Sequence, residues 1–503
     1  MFGGGVRLRP AQPDPVGETL KSIATGPSRV NSQRKKNDMA RVKKSTSANG
    51  GKKNRQAELK PQQRTLVLDL VHPRAAGIDV GNEEHWVAVP PGLDPEPVRR
   101  FGCFTADLMA MAGWLKQIGI TTVAMQSTGV YWIPLYDVLA ERGMEVYLVN
   151  ARDTKNLPGR KSDIQECQWL LRLHTYGLLR NSFRPAEDIC ILRAYWRQRQ
   201  QHIADASTCI QRMQKTLTQM NLQLANVISD ISGATGQAII GRILEGERNS
   251  QELAKLRDPR VKASAATIAK SLEGNWRAEL LFVLRQEFQL YATYQGKIAE
   301  CDHALEQHLA TFEQKADPAE LLPIRRDKRP HGNVPEGFEL RDELYRITGV
   351  DLTAIDGINI LTAQTVLAEA GADMSRFPSE GQFVSWLGLR PNDKISGGKI
   401  VGREKRKPFN RAGVALRMAA GTLLKSETYL GAQYRRFRTK LGAPKARKAM
   451  AAKLARLIYR LLKFGGQYVD KGDQFYEQKY HDQRVKALSR KAAQLGMQLV
   501  HSA

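Results

Sequence analysis

Three carboxylates stand where they could hold a divalent metal ion. Asp79 lies inside an apolar run in GIDVGNEEHWVAV, and a buried carboxylate is costly unless it is paired or bound to a cation. Asp163 and Glu166 are three residues apart in GRKSDIQECQWL, a spacing that puts both on one face of a helix and lets Ile164, Trp169 and Leu170 pack on a sheet. Carboxylates are the ligands that Mg²⁺ and Mn²⁺ prefer, and two such ions about 4 Å apart can drive chemistry at a phosphate. The set predicts a metal site of the nuclease type.

The same aspartate also fits the first phosphate loop of actin-like and sugar-kinase ATPases, where a strand is followed by Asp, any residue and Gly. That loop usually continues with Thr or Ser, whereas Gly81 is followed by Asn82, Glu83 and Glu84. Two acids would repel a triphosphate, and no second phosphate loop or adenosine loop is recognised downstream. We therefore favour the metal site. A turn-capping role for Asp79 is the other alternative.

Four cations precede the acid pair in NARDTKNLPGRKSD: Arg152, Lys155, Arg160 and Lys161. A charge run of this kind is usually a solvated face. Because it adjoins the predicted metal ligands, we expect it to hold a nucleic-acid backbone over the site.

A second candidate centre is a serine in a glycine turn. In PNDKISGGKIVGREKRK, Ser396 precedes two glycines and is surrounded by Lys394, Lys399, Arg403 and Lys405. Glycines let the backbone approach a phosphate, and cations stabilise a phosphoryl transition state. A serine hydroxyl needs a group that removes its proton, and no histidine is nearby in the sequence. On the residues alone, a basic turn with an incidental serine is the favoured interpretation.

The composition indicates a polyanionic partner. The chain has 503 residues, with 77 Lys plus Arg against 51 Asp plus Glu and a net charge of +26. Nucleic acid is the favoured partner, and an acidic membrane surface is second. No apolar run approaches the roughly 20 residues of a membrane span, and no signal-peptide pattern is present at the start. Five scattered cysteines without CxxC pairs argue against zinc and suit the reducing cytoplasm.

The patterning predicts five regions. Residues 1–65 form a disordered basic arm. In residues 66–185 strands alternate with helices, which predicts a mixed α/β sheet domain, and ADLMAMAGWLKQIG is an amphipathic helix within it. Residues 186–336 carry apolar residues at three and four spacing over many turns, which predicts long coiled-coil helices for dimerisation. Residues 337–470 form a mainly α-helical domain, and residues 471–503 form a C-terminal tail.

Two further features of the third domain suit nucleic acid. AIDGINILTAQTVLAEAG resembles a helix–hairpin–helix, in which the turn at Gly357 could present N–H groups to a phosphate; a plain helix pair is the alternative. The tail of that domain, YRRFRTKLGAPKARKAMAAKLARLIYRLLK, has one apolar and one cationic face. It predicts a nucleic-acid surface, with an oligomerisation helix as the alternative.

Taken together, these motifs closely resemble the DEDD transposases of insertion sequences, in particular the IS-eleven-eleven branch of the IS-one-ten superfamily. The resemblance rests on GIDVG, AMQSTGVYWIPLYDVL, VNARDTKNLPGRKSD and FRP, followed downstream by IDGI, FVSWLGLRP and SGGK. It extends from about residue 75 to 465.

The resemblance implies a RuvC-like, RNase H-like α/β domain with four acids around Mg²⁺ or Mn²⁺. The first acid corresponds to Asp79, and the closing pair corresponds to Asp163 and Glu166. The family has Glu in an E-S-T-G turn where this chain has Gln126, an amide with one neutral oxygen. Metal affinity should fall as a result, so a catalytically weakened RNA- and DNA-binding protein is one alternative function.

For the second centre, the resemblance implies that Ser396 is the nucleophile and becomes covalently joined to DNA as phosphoserine. It also implies a bridge RNA that guides the recombinase, and dimers that pair into a tetramer on donor and target DNA in a bacterial cytoplasm. A junction nuclease that uses only the Asp79 site is the other alternative function.

Overall fold

The computed structural model describes residues 69–127, 129–150, 154, 162–323, 332–404 and 410–500. The predicted basic arm, residues 1–65, lies outside them.

A five-stranded mixed sheet forms the first domain. Its strands are β1 (Ala75–Val80), β2 (Glu84–Ala88), β3 (Val98–Gly102), β4 (Thr122–Gln126) and β5 (Glu145–Val149). The order is β3-β2-β1-β4-β5, with β1–β2 and β2–β3 antiparallel and β1–β4 and β4–β5 parallel. The prediction of a mixed α/β domain is confirmed. The sequence analysis missed β3, because VRRFG lacks the alternation of apolar and polar residues that marks a half-buried strand.

Helices cover both faces of the sheet. They are α1 (Thr105–Gln117), α2 (Trp132–Glu141) and α3 (Asp163–Thr175). The apolar face predicted for α1 is confirmed, since Leu108, Met111 and Leu115 are buried in one cluster with side chains of β1 and β4. Residues alternate along a strand, so Ala124 of β4 points to the other face, where it packs with Leu170 of α3.

Two long helices follow, α4 (Glu187–Gln219) and α8 (Ala278–Ala310), as the three-and-four spacing predicts. They pair with each other in antiparallel orientation: buried Arg199 is bonded to buried Asp302, and Arg212 to Glu287 at 3.2 Å nearer the far end. The apolar faces predicted from the helical periodicity therefore contact a helix of the same chain. Dimerisation through these helices stays a prediction.

Three short helices cap the far end of the pair and share a hydrophobic core with it: α5 (Ala234–Glu245), α6 (Ser250–Lys255) and α7 (Ala265–Ser271). The near end is anchored in the C-terminal core, where Arg197 of α4 makes a two-pronged ion pair with buried Glu369, at 2.8 and 2.9 Å.

The C-terminal region is mostly helical, as predicted. It contains α9 (Leu340–Thr348), α10 (Ile360–Ala370), α11 (Glu380–Trp386), α12 (Arg411–Thr422), α13 (Tyr429–Leu441), α14 (Ala443–Phe464) and α15 (Gly472–Gln494). One β-hairpin interrupts the helices, formed by β6 (Asn392–Ser396) and β7 (Lys399–Glu404). None of the helices in the described part of the chain has the length and hydropathy that crossing a membrane requires.

Candidate functional site

The close approach of α3 to β1 positions the predicted acids. A Cβ atom on Gly77 would lie 2.3 Å from the backbone nitrogen of Leu171 and 2.4 Å from the carbonyl oxygen of Cys167. Only glycine lets the helix backbone rest on the strand at this distance. Asp79 lies two residues further along β1, so it points to the same face of the sheet as Gly77, the face that α3 covers.

The first turn of α3 carries the other two acids. Ser162 caps the helix in a capping box with Gln165, which fixes the start of the helix at Asp163. Asp163 is exposed and Glu166 is half-buried. The prediction that Ile164 packs on the sheet is wrong: its exposed fraction is 40%, because the first turn extends past the buried part of the helix.

Gln126 ends β4 beside β1 and is buried. Its side-chain Nε2 donates to Oε2 of Glu166 at 3.3 Å and to Oγ1 of Thr154 at 3.4 Å. Both amide hydrogens are therefore used, and the amide ties the end of β4 to the first turn of α3. A glutamate at this position would have no hydrogen to donate to Glu166 when ionised.

The carboxylates of Asp79 and Asp163 lie near Cys167 of α3. Burial, together with the charges of Asp79 and Asp163, raises the pKa of the Cys167 thiol to about 12. Both carboxylates act on the same thiol, so they lie near the same part of the helix. The N-terminal end of the helix dipole favours anions there.

The acids match a hard divalent cation in donor type. Among the described residues, no three His, Cys, Asp or Glu side chains are grouped closely enough to hold a metal ion. The contact from Gln126 engages Glu166 on one oxygen. The metal-binding role of Asp79, Asp163 and Glu166 therefore stays a prediction.

The second candidate residue, Ser396, is exposed at the tip of the β6–β7 hairpin. The turn consists of Gly397 and Gly398, with φ of +55° and +75°, a backbone conformation that residues other than glycine rarely adopt. Ser396 and Lys399 are directly opposite each other across the ladder. In the described part of the chain, no side chain is hydrogen-bonded to the serine hydroxyl. The predicted glycine turn is confirmed, but the sequence analysis did not predict the strands on either side of it, although two glycines between isoleucine-containing segments are a hairpin signal.

Two family models match the two halves of this arrangement. The DEDD transposase domain of the IS110 family matches residues 76–222, which include β1, β4 and α3. The model described as "Transposase IS116/IS110/IS902 family" matches residues 351–435, which include the hairpin. Both matches are to transposase models of the IS110 type, and together they support an IS110-superfamily transposase. No curated protein matches the chain. DNA is the substrate that this family implies, and DEDD transposases are typically metal-dependent.

The predicted cations of the transposase are only partly described. Lys394 and Lys399 are exposed on the hairpin, and Arg403 is a position of β7. Lys405 lies outside the described residues, as does the cationic run before the acids, which comprises Arg152, Lys155, Arg160 and Lys161.

The turn at Gly357 joins helical segments, as the sequence predicts. A Cβ atom on Gly357 would lie 3.0 Å from the carbonyl oxygen of Ala419 and 3.1 Å from the Leu423 side chain, so the turn packs on the end of α12. The N–H of Ile358 is bonded to the carbonyl of Ile355 at 3.0 Å. This packing favours the plain helix pair over a phosphate-binding turn.

Sequence reasoning missed the residues that join the two domains of the transposase. Phe183 packs in the C-terminal core, with its ring centroid 4.7 Å from that of Phe377. The next residue, Arg184, lies over the Tyr136 ring at 3.9 Å and donates to Asp137 at 2.7 Å, both on α2. The FRP motif therefore contacts the acid-bearing domain and the serine-bearing domain with adjacent side chains. The motif was visible in the sequence, but its two partners were not.

Proposed function

We propose that this transposase cuts and rejoins DNA through a covalent phosphoserine intermediate at Ser396. The observation that carries the proposal is the exposed serine on a Gly-Gly hairpin, inside the region matched by a transposase model. Because cross-strand neighbours lie on one face of a ladder, the ammonium group of Lys399 can approach the same phosphate as the serine hydroxyl.

The proposed exchange conserves the number of phosphodiester bonds. Ser396 Oγ attacks phosphorus, the bond from phosphorus to the leaving deoxyribose oxygen breaks, and that oxygen takes up a proton while the serine gives its proton to solvent. A free deoxyribose hydroxyl of another strand end then attacks the phosphoserine and regenerates the serine. Lys399 neutralises charge on the phosphoryl oxygens. No external energy source is required.

We assign the sheet domain to the RuvC-like, RNase H-like folds, on the support of its strand order and the match over residues 76–222. In this proposal Asp79, Asp163 and Glu166 would hold Mg²⁺ or Mn²⁺, and the bound ion would supply positive charge to a DNA phosphate. Gln126 occupies the position of the fourth acid and restrains Glu166.

The cations predicted from the sequence would bind the nucleic-acid backbone in this proposal. They are Arg152, Lys155, Arg160, Lys161, Lys394, Lys399, Arg403 and Lys405. The net charge of +26 supports binding of more than one nucleic-acid strand, which is compatible with a guide RNA together with donor and target DNA. Domain bounds at 66–185, 186–336 and 337–470, and assembly as dimers and tetramers, belong to the same proposal.

The decisive experiment is to trap the protein–DNA adduct. The protein is purified with its co-purifying RNA and incubated with a library of random-sequence duplexes in Mg²⁺, and denaturing gels and peptide mass spectrometry locate any covalent nucleotide. We expect an adduct on Ser396 that is absent from Ser396→Ala and retained in Ser375→Ala, which alters another exposed serine of the same domain.

Each alternative has its own outcome. Strand cutting that persists in Ser396→Ala but is lost in Asp79→Asn would establish a junction nuclease and overturn the phosphoserine proposal. A discrete short RNA in the purified protein would support the guide, and its absence would count against it.

The contact between Gln126 and Glu166 favours a second candidate, a protein that binds RNA and DNA with weakened cutting. The Gln126→Glu variant tests it. If the wild-type protein binds nucleic acid without forming an adduct and the variant forms one, the binding function is the natural one.

A further inference from the structure

The hairpin that carries Ser396 exposes three large apolar side chains. The exposed fractions are 67% for Ile395, 55% for Ile400 and 67% for Val401. A cluster of exposed aliphatic side chains on one small element indicates a surface that another molecule covers.

The hairpin has two chemically different faces. Ser396 pairs with Lys399, and the adjacent pair is Ile395 with Ile400. Side chains of successive residues alternate between the faces of a ladder, so the nucleophile and its lysine share one face and the two isoleucines share the other. The register shifts between Lys394 and Ile395, which leaves an extra residue, Val401, on β7. Such a bulge increases the local twist of the ribbon.

Among the described residues, no further strand or helix covers the isoleucine face, since Ile395 and Ile400 are largely exposed. A two-stranded hairpin is marginally stable by itself, and its strands here pair mainly with each other among the described residues. Selection for stability alone would favour polar residues at Ile395 and Ile400. Their presence next to the reacting serine is explained if the face is covered when DNA binds.

The charge of the hairpin indicates which kind of molecule covers the isoleucine face. Lys394 and Lys399 are exposed on the same hairpin, and the chain carries a net charge of +26, so the element is drawn to a polyanion. DNA presents apolar surface only at its base faces and thymine methyl groups. Proteins reach that surface by inserting aliphatic side chains between base steps, and a two-stranded ribbon is narrow enough to enter a groove.

We propose that Ile395 and Ile400 form a wedge that unstacks a base step of duplex DNA next to the phosphate that Ser396 attacks. This inference rests on the proposed function and assigns a DNA-deforming role to the opposite face of the same hairpin. Unstacking separates the bases that flank the phosphate and kinks the backbone, which exposes that phosphate to the serine and prepares the strand end for exchange.

The test measures base unstacking without requiring strand cutting. The full-length protein, with its co-purifying RNA, is bound to a library of random-sequence duplexes, and permanganate is used to detect unstacked thymines. We expect hyperreactive thymines with the wild-type protein and with Ser396→Ala. The signal should fall at least about tenfold in Ile395→Ser/Ile400→Ser, because the aliphatic wedge is removed. Filter binding should change by less than about threefold, since phosphate contacts dominate non-specific affinity.

The control is Leu178→Ser, which removes an aliphatic side chain with an exposed fraction of 60% in the first domain. It should leave the permanganate signal unchanged. A rescue arm uses duplexes with a mismatch at the reactive step. Because the bases are already unstacked in such a duplex, adduct formation by the double isoleucine variant should return to within about threefold of wild type. The melting temperature of each variant confirms that it is folded.

The two proposals fail in different ways. An adduct on Ser396 without any permanganate signal would overturn the wedge and leave the phosphoserine chemistry intact. A wedge signal without an adduct would overturn the phosphoserine chemistry and leave the wedge. Loss of self-association in the double isoleucine variant, measured by light scattering with unchanged permanganate reactivity, would also overturn the wedge and assign the face to a second copy of the chain.

Discussion

Replacing Gln126 with glutamate tests whether the amide at this position stabilises the first domain when no divalent cation is bound. The amide Nε2 donates to Glu166 at 3.3 Å and to Thr154 at 3.4 Å. Gln126→Glu preserves the shape of the side chain, removes both donors and places a second carboxylate beside Glu166. We expect a first domain that is less stable without divalent cations and regains stability when they are added.

The magnitude follows from the distance. Two unit charges about 3.3 Å apart repel each other by about 5 kcal/mol at an effective dielectric constant of 20. The two carboxyl groups can avoid this repulsion by sharing one proton. Keeping a carboxyl with an ordinary pKa of about 4.3 protonated at pH 7 requires about 3.7 kcal/mol, so the cost cannot exceed that value. Glu166 is half-buried, so solvent screens part of the repulsion. We therefore expect a loss of about 2–3 kcal/mol in the free energy of unfolding at pH 7.

The assay is thermal unfolding followed by the intrinsic fluorescence of the full-length protein, in EDTA and in Mg²⁺. The variant should unfold at lower temperature than wild type in EDTA and recover most of the difference in Mg²⁺, because a bound ion stabilises the folded state by mass action. The difference in EDTA should also shrink as the pH falls toward 4, where the extra carboxyl binds a proton at little cost.

The matched control is Gln364→Glu, which changes another buried glutamine, in α10 of the C-terminal domain. It should destabilise the protein equally in EDTA and in Mg²⁺. The reasoning is refuted if Gln126→Glu is as stable as wild type in EDTA, or if Mg²⁺ shifts the two glutamate variants by the same amount.

Two further predictions concern the packing of α3. Gly77→Ala should lower the free energy of unfolding of the first domain by about 1–3 kcal/mol or more, because the added Cβ pushes α3 and its acids away from β1. Gly92→Ala should be neutral, because no atom lies within 4 Å of its added Cβ. Chemical denaturation of the two variants tests the difference. Burial and neighbouring His72 lower the pKa of fully buried His174 from 6.5 to about 4. The neutral form of His174 should therefore contribute fully to the free energy of unfolding above pH 6.5, and this contribution should decline by up to about 3 kcal/mol as the pH falls to 4. His174→Gln should flatten that part of the plot of stability against pH. An unchanged plot would contradict the assignment.

Patterns of apolar and polar residues predicted much of the architecture. The alternation of strands and helices, the buried face of α1 and the two long helices are present in the structure. Such patterns report local periodicity, and local periodicity decides which face of an element is buried. Ordered motifs in both halves of the chain also identified the transposase family, which the two matching models confirm.

The sequence did not show which elements of the fold contact each other. Periodicity showed that α4 and α8 have apolar faces, but the antiparallel pairing of the two helices rests on contacts such as Arg199 with Asp302, about a hundred residues apart. Likewise, GIDVG marked Asp79, but not that Gly77 is the point where the backbone of α3 touches the strand. Close approaches of this kind depend on where a distant segment returns in space.

The chemistry divides in the same way. The sequence by itself determined which side chains are available: two carboxylates on one helical turn, an amide in place of an acid, and a serine before two glycines with lysines around it. Only the tertiary structure decided that the amide of Gln126 binds Glu166 and that Ser396 shares a hairpin face with Lys399 while the isoleucines occupy the other. Residue type fixes donors and charges, whereas strand register and helix packing fix the distances between them.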